Sequence, residues 1–104
     1  MAYAFQQDLP ITREIYQRIR TALGEVVPPG LIVHLVTDSP TGSGLRVIDI
    51  WESKEACEQF LTERVQPALE QVFAAAGRPQ PPEAPRDELE VIDLWRPRLA
   101  AAGG

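Results

Sequence analysis

Residues 31–51 read LIVHLVTDSPTGSGLRVIDIW, two short apolar runs separated by a stretch of turn formers. Leu31 to Thr37 is rich in β-branched residues, continuous in its hydrophobicity and too short to be a helix of its own. Leu45 to Trp51, LRVIDIW, is a second strand-like run, with Asp49 inside its hydrophobic stretch. The intervening DSPTGSG suits a hairpin loop, so the two runs are expected to pair antiparallel. If Thr37 pairs with Arg46, His34 lies directly across from Asp49.

On the N-terminal side, alternation of Tyr3 and Phe5 within Ala2 to Gln7 predicts a strand that Pro10 ends. Thr12 is placed to cap a helix whose apolar positions Ile15, Ile19, Ala22, Leu23 and Val26 form one stripe, with Gly24 at its end. On the C-terminal side, Ser53 opens a second helix, with Glu55 and Glu58 near its positive end. Its stripe runs Ala56, Phe60, Leu61, Val65, Leu69, Val72, Phe73 and Ala76 and stops at Gly77. Pro67 lies inside that pattern and must kink or divide the helix, because its ring obstructs the preceding turn and it donates no backbone hydrogen bond. RPQPPEAPRDE, residues 78–88, has no apolar periodicity and is expected to cross the surface in extended form. Leu89 to Trp95, LEVIDLW, nearly repeats LRVIDIW and is expected to be the last strand.

The order strand, helix, strand, strand, helix, strand predicts an α+β, ferredoxin-like βαββαβ domain over residues 2–96, followed by a loose tail over 97–104. Its four-stranded antiparallel sheet carries both helices on one face. Alternation divides the third strand into Ile48 and Ile50 on one side and Leu45, Val47, Asp49 and Trp51 on the other. LEVIDLW divides the same way, with Asp93 beside Trp95. Neither side is polar, so both need a cover, and two helices supply only one. Placing the Ile48 and Ile50 side under the helices leaves the side of Val47 and the two Trp residues for a second copy. A homodimer through the helix-free sheet face is therefore expected.

The bulk composition excludes several classes of function. Hydrophobic residues make up 44% and charged residues 24% of 104 residues, a composition that fits one globular domain. A net charge of -5 with ten scattered basic residues argues against a nucleic-acid partner. No apolar run approaches the roughly 20 residues of a membrane span, and MAYAFQQDLP lacks the pattern of a signal peptide. Cys57 has no partner for an internal disulfide, which fits a reducing, cytoplasmic setting. One His and one Cys at distant positions do not make a zinc centre, so no metal and no cofactor are expected.

Taken together, LRVIDIWES running directly into KEACEQFLTERVQPALEQV and the closing LEVIDLW resemble the dimeric α+β barrel superfamily, near its antibiotic-biosynthesis-monooxygenase-like domains. That resemblance spans about residues 2 to 96, and its most specific piece is the WESKEA junction followed by Phe60. It implies a barrel closed by two sheets, one from each protomer, enclosing a small organic molecule. It also implies less about chemistry than about fold, since members differ in activity and some have none assigned. The haem-degrading members use an Asn, Trp and His set, whereas this sequence has no Asn.

His34 and Asp49 are the candidate catalytic residues, because a carboxylate can orient an imidazole as general base. Trp51, Asp93 and Trp95 are the candidate ligand-binding residues. The principal expectation is a dimeric protein that encloses a small-molecule pocket without assigned chemistry. Its alternative is a cofactor-independent monooxygenase or isomerase acting on a small aromatic or polyketide-like substrate. A structural hydrogen bond for His34 and simple packing for Cys57 are the plainer readings of those two residues.

Overall fold

A computed structural model describes residues 2–96. The tail over 97–104 lies outside the described residues. The elements are β1 (Tyr3–Leu9), α1 (Arg13–Leu23), β2 (Leu31–Asp38), β3 (Leu45–Trp51), α2 (Lys54–Phe60), a π-helical turn (Leu61–Val65), α3 (Gln66–Ala76) and β4 (Asp87–Leu89). Their sheet has the order β2-β3-β1-β4, and all three pairings are antiparallel. This is the ferredoxin-like α+β arrangement.

Local chemistry accounts for most of the boundaries. The Thr12 side chain accepts from the Ile15 amide at 3.2 Å and Ser53 accepts from the Ala56 amide at 3.1 Å, so both helices start at their capping residues. Pro67 divides the long helix as its chemistry demands. Just before it the Gln66 amide bonds back to Leu61, a five-residue reach that accommodates the missing donor and the ring. α1 ends at Leu23, so Val26, counted in its stripe from sequence, lies beyond the helix and is exposed. Ala22 is exposed as well. At the end of the β2–β3 hairpin, Gly44 has φ +81° and a Cβ there would stand 2.2 Å from the Leu9 carbonyl oxygen. Only glycine fits so close to the end of β1.

The register pairs Thr37 with Arg46 and His34 with Asp49, as the hairpin length implies. The faces fall the other way from expectation. Leu45, Val47, Asp49 and Trp51 are all buried, and Trp51 packs against Phe60 with ring centroids 5.5 Å apart. The helices thus cover the Trp51 side, and the helix-free face carries Ile48 and Ile50 with Val33 and Leu35 of β2. Both sides of β3 are apolar, so alternation alone assigns them equally well either way.

A second correction concerns the last strand. Pairing with β1 is made by Asp87, Glu88 and Leu89, opposite Gln6, Phe5 and Ala4. The repeated segment after Leu89 leaves the sheet, and Ile92 and Trp95 are 85% and 88% exposed. The proline-rich connection is long enough to bring residues 87–89, rather than 89–95, alongside β1. Within the described residues VIDLW, 91–95, therefore has no strand neighbour, and its β-propensity goes unused.

The core forms two clusters. Phe5, Val47, Trp51 and Cys57 join the sheet to α2, while Ile15, Ile19, Val72 and Phe73 join α1 to α3. Between the two clusters the packing is incomplete.

Candidate functional site

That gap is a cavity of about 260 Å³. Its floor is Phe5 and Val47 of the sheet, and its roof includes Ile19 and Phe73 of the helices. Gln66, Gln80 and Glu83, all exposed, mark its rim where α3 and the proline-rich connection meet. The cavity lies between sheet and helices of this chain, rather than beyond the opposite sheet face.

Its polar end is built across β2, β3 and α1. His34 Nδ1 lies 2.7 Å from Asp49 Oδ1, and His34 Nε2 lies 2.8 Å from the Tyr16 hydroxyl. On the far side of the carboxylate, Trp51 Nε1 donates to Asp49 Oδ2 at 3.1 Å. Because a carboxylate only accepts, these partners place a proton on Nδ1 and leave the Nε2 lone pair facing the Tyr16 O–H. Asp49 is 7% exposed, and its two donors satisfy both oxygens in that buried position. The His34 side chain is one-third exposed at the sheet edge, so it is not the fully buried histidine of the plainer reading. Burial holds the Tyr16 phenol above its ordinary range, with Arg20 opposing and Asp49 reinforcing the effect.

Of the five residues singled out from sequence, His34 and Asp49 line the cavity. Trp51 does not reach it and instead stands behind Asp49. Asp93 and Trp95 lie in the exposed segment after β4, away from the cavity, where Trp95 Nε1 donates to Asp93 Oδ2 at 2.9 Å. Tyr16 was missed. It borders the apolar stripe of α1, and a hydroxyl beside a stripe that faces a sheet is the only signal it leaves in the sequence. Arg86, which also lines the cavity, was hidden in the proline-rich run.

Two solved structures share this architecture. One is a candidate antibiotic biosynthesis monooxygenase from Chloroflexus aurantiacus J-10-fl, with TM-score 0.62 and 20% identity over 91% of this chain and 97% of its own. The other is Rv0793 from Mycobacterium tuberculosis, with TM-score 0.58 and 14% identity over 89% of this chain and 96% of its own. The chain has the fold of the antibiotic-biosynthesis-monooxygenase-like domains. No protein-family model matches the sequence, and no curated protein does either. At these identities the likeness to the antibiotic-biosynthesis-monooxygenase-like domains is one of backbone path, and chemistry has to be argued from the side chains present.

Among the described residues no three His, Cys, Asp or Glu side chains are grouped to hold a metal ion, and no helix is long and apolar enough to cross a membrane. Cys57 is fully buried beside Trp51, and burial pushes its thiol up to about 11. At neutral pH it is a packing residue, not a nucleophile.

Proposed function

We propose that this protein is a homodimer that binds a small, largely apolar molecule in the cavity between sheet and helices. In this reading the line Tyr16–His34–Asp49 moves one proton to or from an oxygen of that molecule. The observation that carries it is the unbroken hydrogen-bonded chain from a buried carboxylate to a hydroxyl at an apolar cavity.

The step balances with the groups present. A ligand phenol or enol gives its proton to Tyr16 Oη as the Tyr16 proton passes to His34 Nε2. The products are a ligand oxyanion and an imidazolium that Asp49 stabilises. Tyr16 acts as a conduit rather than a base, because its raised pKa disfavours a standing tyrosinate. Returning the proton to a carbon of the same ligand would make the reaction an isomerisation. The oxyanion is also electron-rich, so the same site would serve the oxygenation that the name of the Chloroflexus protein suggests, with dioxygen as the oxidant: a ligand CH2 becomes C=O and the second oxygen atom leaves as water.

The dimer rests on a separate observation. Val33, Leu35 and Leu89 are 39%, 48% and 43% exposed on a sheet face that no helix covers, alongside Ile48 and Ile50. A second copy laid on this face removes those side chains from water. The double variant L35E/I48E is expected to elute as a monomer in size-exclusion chromatography; an unchanged dimer argues against this face. Val47 is unsuitable for that test because it belongs to the core.

Proton transfer is tested with 2-naphthol, whose ionisation is followed by absorbance. Wild-type protein is expected to bind it saturably and shift its spectrum towards the oxyanion, whereas His34→Ala binds without the shift. Binding without a shift in the wild type supports simple storage of an unconverted ligand.

A further inference from the structure

The end of the cavity away from His34 carries a guanidinium. Arg86 stands one residue before β4, and its side chain is 18% exposed. Nη2 donates to Glu58 Oε1 at 2.7 Å, while Nη1 faces only the Cys57 sulfur at 3.7 Å. A thiol is a weak acceptor, so one arm of the fork is poorly satisfied. Among the described residues its remaining N–H groups meet no side-chain or backbone acceptor. The guanidinium lies over the Phe5 and Tyr3 rings, 5.4 and 5.9 Å from their centroids, which holds it at the cavity wall.

Arg86 lies two residues before Glu88, and the register relates Glu88 to the proton-transfer end. His34, Asp49, Phe5 and Glu88 form one row across β2, β3, β1 and β4. Three strand spacings separate the ends of that row, roughly 14 Å between backbones. Between them the cavity is lined by Phe5, Val47 and Phe60. The charged groups on its wall are Asp49 at one end, Arg86 at the other and Glu83 in solvent at the rim. The cavity is dipolar.

We propose that Arg86 anchors a carboxylate of the ligand, which makes the ligand a flat, apolar acid carrying a phenol or enol hydroxyl at its opposite end. This rests on the reading of the cavity as a ligand site and adds the ligand class to it. Arginine presents a planar pair of donors that matches a carboxylate, and partial burial strengthens such a bond. Glu58 competes for the same guanidinium from the solvent side, so it sets how much of the fork is free.

The test compares 6-hydroxy-2-naphthoate with 2-naphthol by isothermal titration calorimetry on the full chain. The acid is expected to bind wild-type protein about tenfold more tightly than the naphthol. Arg86→Gln should bring the two to parity by weakening the acid alone. Glu58→Gln frees the guanidinium and should tighten the acid about threefold while leaving the naphthol unchanged. This second variant keeps the test decisive should Arg86→Gln fold poorly. Equal binding of the two probes by the wild type overturns the anchor while leaving the cavity reading intact, as does an acid preference that survives in Arg86→Gln. Failure of both probes to bind the wild type overturns the cavity reading and the anchor together.

Discussion

VIDIW at 47–51 and VIDLW at 91–95 differ by one methyl position, yet one is the centre of the fold and the other lies outside the sheet. Both make the same local bond, from the indole N–H to the carboxylate two residues earlier, at 3.1 and 2.9 Å. Trp51 is 1% exposed and Trp95 is 88% exposed. A short-range hydrogen bond follows from residue spacing and recurs wherever the spacing does. Burial follows from neighbours. β3 has β1 and β2 on either side and α2 above it, whereas the second copy emerges only after the chain has left β1.

Truncation of the two indoles should separate the two segments by the widest margin. Trp51→Ala empties the sheet–α2 cluster and is expected to cost about 3 to 5 kcal/mol in urea denaturation. Trp95→Ala should cost about 0.5 kcal/mol or less in dilute protein. A Trp95→Ala cost that grows with protein concentration would instead show that the segment 91–95 is covered by self-association.

Trp51→Phe keeps most of the bulk but removes the donor to Asp49, so it should cost about 1 to 3 kcal/mol, while Trp95→Phe is near neutral. The indole N–H also helps fix the carboxylate that orients His34, so Trp51→Phe should weaken the naphthol spectral shift without abolishing binding. Cys57 reports the same cluster by a change of rate. Its thiol is expected to resist alkylation at pH 8 in the wild type and in Trp95→Ala, and to react readily in Trp51→Ala.

A separate effect is on pH dependence. Burial raises Tyr3 to about 12 and Cys57 to about 11 from ordinary values of 10.0 and 9.0. Each folded-state pKa lies above its unfolded value, so the unfolded chain releases these protons first as pH rises. Their contribution is complete below pH 9 and is lost progressively as pH rises towards 12. Thermal unfolding followed from pH 8 to 12 should show a falling midpoint, and Cys57→Ala should lose the part that begins near pH 9. A flat profile would contradict the burial argument.

How far the candidate site is legible depends on how local each part is. His34 opposite Asp49 follows from a loop of turn formers and two strands of equal character, because hairpin length fixes register. Tyr16 joins that pair only when α1 is laid over the sheet, and Arg86 only when the proline-rich connection is folded back against α2. Neither contact is encoded in a spacing that can be counted along the chain.

Sequence by itself determined the strand–helix order, the capping residues Thr12 and Ser53, the division of the long helix at Pro67 and the His34–Asp49 pairing. Each depends on groups within a few residues or across a short turn. Tertiary structure alone decided which face of β3 the helices cover, which residues complete the sheet beside β1 and where a cavity remains. A strand that is apolar on both sides satisfies alternation in either orientation. Only the competition among distant segments for the same neighbours separates the two.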